Sequence, residues 1–304
     1  MPPRQALAAA LVAVIWGANF VVIDAGLHDM PPLTFVALRF LAVLVPAIFV
    51  IRRPDVPWRD ILLLGAFMSL AQFGLLYTSL HVGMPPGLAS LVLQVQVMFT
   101  VIIAAVLLHE RPTVRQQAGI VIGLVGLTVV ALGRDTQTPW LALLLCVGAA
   151  LAWASGNVVA RRVGARSGLG MTVWSALVVP VPMLGLSLLL DGPEAVGAGL
   201  RHADLVTLGS TLYTAYLCSL FGYGVWNSLL ARHHASAVVP FTLLVPVSGI
   251  ATAWVVRGER PTAGTVVGGL LLMLGVVVTM VTLRRRQTPE ATHRAAELAG
   301  RPSG

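Results

Sequence analysis

The sequence predicts an all-α polytopic membrane protein: ten transmembrane helices in two inverted five-helix repeats. Three observations predict it. First, 57% of the 304 residues are hydrophobic and only 11% are charged, against about 25% charged in a soluble domain. Second, the apolar residues fall in unbroken runs long enough to cross a bilayer as helices. A membrane barrel would alternate instead, and backbone in hydrocarbon must satisfy its own hydrogen bonds. Third, the chain repeats itself. An apolar run ends at Glu110-Arg111-Pro112-Thr113 and restarts with Gly119 and Gly126. Another ends at Glu259-Arg260-Pro261-Thr262 and restarts with Gly268 and Gly275, in the same register. A repeat of this kind in a membrane protein points to a transporter.

Charge and motifs narrow the function class. The net charge is +8, and all twenty basic residues are arginines. A basic balance raises nucleic acid as a partner, but these arginines sit between apolar runs, so the lipid bilayer is the expected partner and nucleic acid is not. Cys146 and Cys218 lie inside apolar runs and suggest neither a disulfide nor a metal site. No Walker loop, zinc-type His/Glu pair or Ser-x-x-Lys arrangement is present, so no catalytic residue, metal or cofactor is expected, and the chain does not read as an enzyme. The first apolar run, Ala6 to Ile23, lacks a clear small-x-small cleavage site and carries Trp16 and Asn19, so it reads as a retained helix.

Taken in order, spans are expected near 6–25, 32–51, 60–81, 85–108, 114–133, 139–162, 169–190, 205–231, 235–256 and 263–283. Prolines such as Pro31, Pro32, Pro85, Pro86, Pro112, Pro139 and Pro261 fall at the breaks, where a missing amide costs nothing. The first repeat is expected over 1–134 and the second over 135–283. Residues 284–304 form a polar cytoplasmic tail, expected to be disordered. With the N-terminus inside, Arg4, Arg52, Arg53, Arg59, Arg111, Arg115, Arg161, Arg162, Arg166, Arg232 and Arg284 to Arg286 flank inner ends. Only Arg134, Arg201, Arg257 and Arg260 lie outside. The positive-inside rule then puts both termini in the cytoplasm. Five spans per half make the second half enter from the opposite side, with Glu110 inside and Glu259 outside.

Polar residues within spans carry the functional reading, because lipid makes them costly. Trp16 and Asn19 share a face of span one, and Trp153 and Asn157 share a face of span six. Each half thus offers an indole and a carboxamide, which suit either a cavity for a small polar, amino-acid-like solute or interhelical packing. Gln72, Gln94 and Gln96 are also central. Gln94 and Gln96 cannot share a face, so Gln94, beside Ser90, is favoured for the cavity and Gln96 for a bond to a neighbouring helix. Tyr223 sits between two glycines that would let span eight bend. Pro240 and Pro246 would free carbonyls near the cavity. Arg39 is the one arginine well inside a span. It reads either as an anchor for a substrate carboxylate or as an interhelical ion pair with Asp24. Gly119, Gly123 and Gly126, with Gly264 and Gly268, form small-residue faces for close packing.

These residues carry a resemblance. Trp16 to Phe20, Arg39-Phe40, Gly87 to Leu91, both Glu-Arg-Pro-Thr loops and Trp153 to Asn157 resemble the EamA family of the drug/metabolite transporter superfamily, over residues 5–283. The resemblance implies ten helices in inverted repeats around a central cavity, bacterial inner-membrane residence, and efflux of amino-acid metabolites of the cysteine or O-acetylserine kind. The alternative is a broad-specificity drug/metabolite exporter or another carrier of a small polar solute from the same superfamily. A homodimer is left open. One departure stands out: the family commonly has a lysine four residues after the phenylalanine of its first motif, and here that residue is Asp24.

Overall fold

The computed structural model describes residues 1–164 and 168–280. Arg166, Arg284 to Arg286 and the expected tail over 284–304 lie outside the described residues. Among the described residues, ten helices are long and apolar enough to cross a membrane: α1 (Pro3–Gly26), α2 (Pro32–Val50), α3 (Trp58–His81), α4 (Pro86–Leu107), α5 (Val114–Gly133), α6 (Trp140–Val163), α7 (Gly168–Leu190), α8 (Leu205–Arg232), α9 (Val239–Arg257) and α10 (Ala263–Met280). Among the described residues there is no strand. A short helix, Gly192–Arg201, lies between α7 and α8. The hydropathy reading passed over it because it is too short and too polar to span. It begins at Gly192-Pro193 and buries Val196 and Gly199, and Gly199 sits so close to the α1–α2 loop that a Cβ there would lie 2.8 Å from Pro31.

Local chemistry sets the helix ends. Thr113 caps α5, its hydroxyl accepting from the Gln116 amide at 3.3 Å. Thr262 caps α10 in the same way, accepting from the Thr265 amide at 3.0 Å. The threonine of the repeated Glu-Arg-Pro-Thr run is therefore an N-cap in both halves. Gly164 (φ +58°) ends α6 and Gly258 (φ +69°) ends α9, both in the left-handed conformation that favours glycine.

The repeated glycines explain how the halves meet. Gly126 faces Gly268, Gly119 faces Gly275 and Thr279, and Gly133 faces Gly264. Residue numbers rise along α5 as they fall along α10, so these two equivalent helices run antiparallel. A Cβ on Gly126 would lie 2.8 Å from the Gly268 carbonyl, and one on Gly119 2.7 Å from the Thr279 amide. The backbones approach that closely only because the side chains are missing. Several other contacts follow the same exchange of helix n for helix n + 5. Helix α1 packs on α8 and α9 while α6 packs on α3 and α4, and α2 packs on α8 while α7 packs on α3.

The irregular turns of the third and fourth helices are paired too. Both third helices carry a π-helical stretch, Gly65–Ala71 in α3 and Tyr213–Gly222 in α8. Both fourth helices carry a 3-10 turn, Leu93–Val95 in α4 and Val239–Leu243 in α9. Such distortions in membrane helices persist where they border a cavity or are buried in protein.

Candidate solute cavity

The distorted helices surround a cavity of about 390 Å³, inside the range of roughly 300–1,000 Å³ common for small ligands. Its wall includes Trp16 and Asn19 from α1, Arg39 from α2, Gln72 and Phe73 from α3, Gln94 and Gln96 from α4, Trp153 and Asn157 from α6, Tyr223 and Trp226 from α8, and Thr242 from α9. A smaller cavity of about 210 Å³ shares Arg39, Phe73, Tyr223 and Asn227 with it and extends to Val163 and Gly168, where α6 ends and α7 begins. That is the face on which α1 starts, since Ala9 and Val12 pack on Trp226 and Leu229 near the end of α8.

On the opposite face the ends of α1, α4 and α9 are tied together. Asp24, near the end of α1, is ion-paired with Arg257 at the end of α9. Glu259 Oε2 accepts from the Gly87 amide at the start of α4, 3.1 Å away. Burial raises the Glu259 carboxyl above the usual glutamate range. The Gly87 amide pulls the other way, Asp24 adds to the rise, and Arg257 opposes it. Glu110 lies past the other end of α4 and pairs with Arg161 at 2.8 Å, a half-exposed bridge worth about 0–1 kcal/mol. The two repeated glutamates thus bracket one 22-residue span, about 33 Å long.

Each polar wall residue has a local reason for its position. Trp16 Nε1 donates to the Cys218 carbonyl at 3.0 Å, in the π-helical stretch of α8. Its ring leans on Tyr223 and Trp226, with centroids 5.2 Å away in each case. Gly222 makes room, because a Cβ there would lie 2.7 Å from the indole nitrogen. Pro246 lacks the amide that would bond the Thr242 carbonyl four residues earlier, and Gln94 Nε2 donates to that carbonyl at 3.4 Å. Asn157 Nδ2 donates to Gln96 Oε1 at 2.8 Å and to Thr100 at 3.3 Å. Gln96 therefore bonds a neighbouring helix as expected, yet it lines the cavity beside Gln94. The expectation that only one of the two reaches the cavity is corrected: the 3-10 turn Leu93–Val95 interrupts the regular helix between them.

Arg39 is the largest fully buried side chain, 2% exposed. The sequence offered Asp24 as its partner, and the structure corrects this: Asp24 is taken by Arg257 and does not line the cavity. Arg39 instead donates to Tyr77 Oη at 3.1 Å and to Ser219 Oγ at 3.2 Å. Its guanidinium carbon lies 3.9 Å from the centre of the Phe73 ring. Among the described residues no carboxylate reaches it, and its Nε has no partner. The sequence reading missed this cradle. Phe73 and Tyr77 are four apart, a helical-face signal that was available. Ser219 was not locatable, because a π-helical stretch shifts the register of every residue beyond it.

A bundle of ten apolar helices around a largely apolar cavity set with a few polar side chains defines the class: a membrane transporter. The chain belongs to the EamA-like transporter family, whose model matches residues 4–132 and again 140–281. It is similar to the "Probable amino-acid metabolite efflux pump" of Salmonella typhimurium, 40% identical over 294 residues, covering 95% of this chain and 98% of that one. The protein of the same name from Escherichia coli is 39% identical over 295 residues, covering 94% and 98%. A "Probable terminal-alkyne amino-acid exporter" of Streptantibioticus cattleyicolor is 31% identical over 293 residues, covering 91% and 94%. A solved crystal structure shares the fold, with a TM-score of 0.62 at 19% identity, covering 95% of this chain and all of the other.

Proposed function

We propose that the protein exports small amino-acid metabolites of the cysteine or O-acetylserine kind from the bacterial cytoplasm, and that Arg39 anchors the substrate's carboxylate. The cavity alternates its access as the halves 1–134 and 135–283 rock against each other in the inner membrane, with both termini cytoplasmic. One observation carries the reading: a guanidinium 2% exposed, on the wall of the cavity, with no carboxylate partner among the described residues. An unpaired charge inside a membrane bundle is expensive, and a substrate carboxylate would supply the missing counter-charge. The names of the three relatives, all referring to amino acids, support the same substrate class.

Counterflow in proteoliposomes tests it. Vesicles holding the purified protein and loaded with unlabelled cysteine should accumulate labelled cysteine and O-acetyl-L-serine transiently. Accumulation of a lipophilic cation such as tetraphenylphosphonium, with none of either amino acid, would refute the reading and favour a broad drug exporter working through the Trp16, Tyr223 and Trp226 rings.

A further inference from the structure

Resting on that reading, we propose that the site also holds the substrate's ammonium group, on the Asn19 amide oxygen beside the Trp16 ring, so that the protein selects zwitterionic α-amino acids over carboxylates alone. Among the described residues, two buried side-chain polar atoms lack a hydrogen-bond partner: Arg39 Nε and Asn19 Oδ1. Asn19 is 8% exposed and Arg39 2%, and both border the same cavity. One is a donor and the other an acceptor. Native proteins pair nearly all such groups, and a buried one left unpaired calls for a missing partner. A zwitterion brings an acceptor for Arg39 and a donor for Asn19.

The surroundings fit an ammonium group. Trp16 and Asn19 are three residues apart on α1 and share a face. The Trp16 indole is held by the Cys218 carbonyl and by two neighbouring rings, and indole is the aromatic surface with the strongest attraction for cations. The described wall of the cavity contains no Asp, Glu or His, so the ammonium group meets neutral acceptors and ring faces. A neutral amide has a further consequence. A carboxylate on this wall would compete with the substrate for Arg39, whereas an amide oxygen accepts from an ammonium group and leaves the guanidinium free. Asn157, the corresponding amide of the second half, is already bonded to Gln96 and Thr100. The symmetry of the halves is thus broken at the place where an asymmetric solute would sit.

The test is counterflow of three labelled thiols in proteoliposomes of the purified full-length protein: cysteine, 3-mercaptopropionate (which lacks the amine) and cysteamine (which lacks the carboxylate). Wild-type protein should exchange cysteine well above the other two. Asn19→Leu should lower cysteine exchange about ten- to a hundredfold, the effect of losing a hydrogen bond to a charged group, and leave 3-mercaptopropionate exchange unchanged. The ratio of the two rates is the readout, since it does not depend on how much of the variant folds; Asn19→Ala gives the same ratio with a smaller side chain. A wild-type ratio in both variants overturns the ammonium subsite and leaves the exporter reading standing, as does wild-type protein that exchanges 3-mercaptopropionate as fast as cysteine. Wild-type protein that exchanges none of the three overturns the exporter reading itself.

Discussion

Replacing Arg39 by methionine separates a structural arginine from a substrate anchor. The change removes two hydrogen bonds, to Tyr77 and Ser219, and the stacking on Phe73. Hydrogen bonds to charged groups contribute about 1.5–3 kcal/mol each, and a desolvated cation–π contact about 2 kcal/mol. Against these stands the penalty of burying an unpaired charge, several kcal/mol, which methionine relieves. The opposing terms are of similar size, so folded abundance should stay within about twofold of wild type. Transport should not be spared. Removing one partner of a buried charge pair typically costs about 2–5 kcal/mol, or roughly thirtyfold and more at about 1.4 kcal/mol per factor of ten. The assay is cysteine counterflow normalised to detergent-extracted, monodisperse protein, alongside exchange of cysteamine, which has no carboxylate to lose. Arg39→Met should cut cysteine exchange and leave cysteamine exchange near its wild-type level. A proportional fall of both solutes together with folded protein would refute the reasoning and return Arg39 to a structural role.

The bracketing of α4 by the two repeated glutamates predicts opposite sidedness. In a Cys146→Ser, Cys218→Ser background, Arg111→Cys should react with an impermeant maleimide only from the cytoplasm and Arg260→Cys only from outside; both residues are exposed. Labelling of both from one side would contradict the inverted arrangement. Glu259 gives a pH dependence. Its folded carboxyl is raised, chiefly by burial, above the usual value near 4.5, so the folded state holds its proton more tightly than the unfolded chain. Stability contributed by this group is present below the unfolded value and is lost as pH rises through the folded one. Glu259→Gln, which can still accept from the Gly87 amide, should flatten the thermal-stability profile in that window, measured by dye-based unfolding between pH 4 and 7; a profile that keeps its wild-type slope would count against the assignment.

Much of the fold was fixed by the sequence alone, because in lipid the solvent leaves few options. Long apolar runs have to be helices, prolines mark their ends, and arginines bias the loops. The glycines of the repeat announced a close helix pair, since only a missing Cβ lets two backbones meet as α5 and α10 do. Pro246 even announced a free carbonyl, which Gln94 takes. Charge pairing was not legible in this way. Asp24 and Arg39 looked like partners because both are charged and near in sequence, but Asp24 lies where α1 ends and α9 delivers Arg257 to the same end. Which end meets which depends on how the two halves dock, and no local pattern records that. The cradle of Arg39 depended on it as well: Tyr77 and Ser219 come from different halves, and the π-helical turn that positions Ser219 shifts the helical register. The tertiary structure alone decided that the guanidinium would be buried against a phenol, a hydroxyl and a ring, with no carboxylate partner among the described residues.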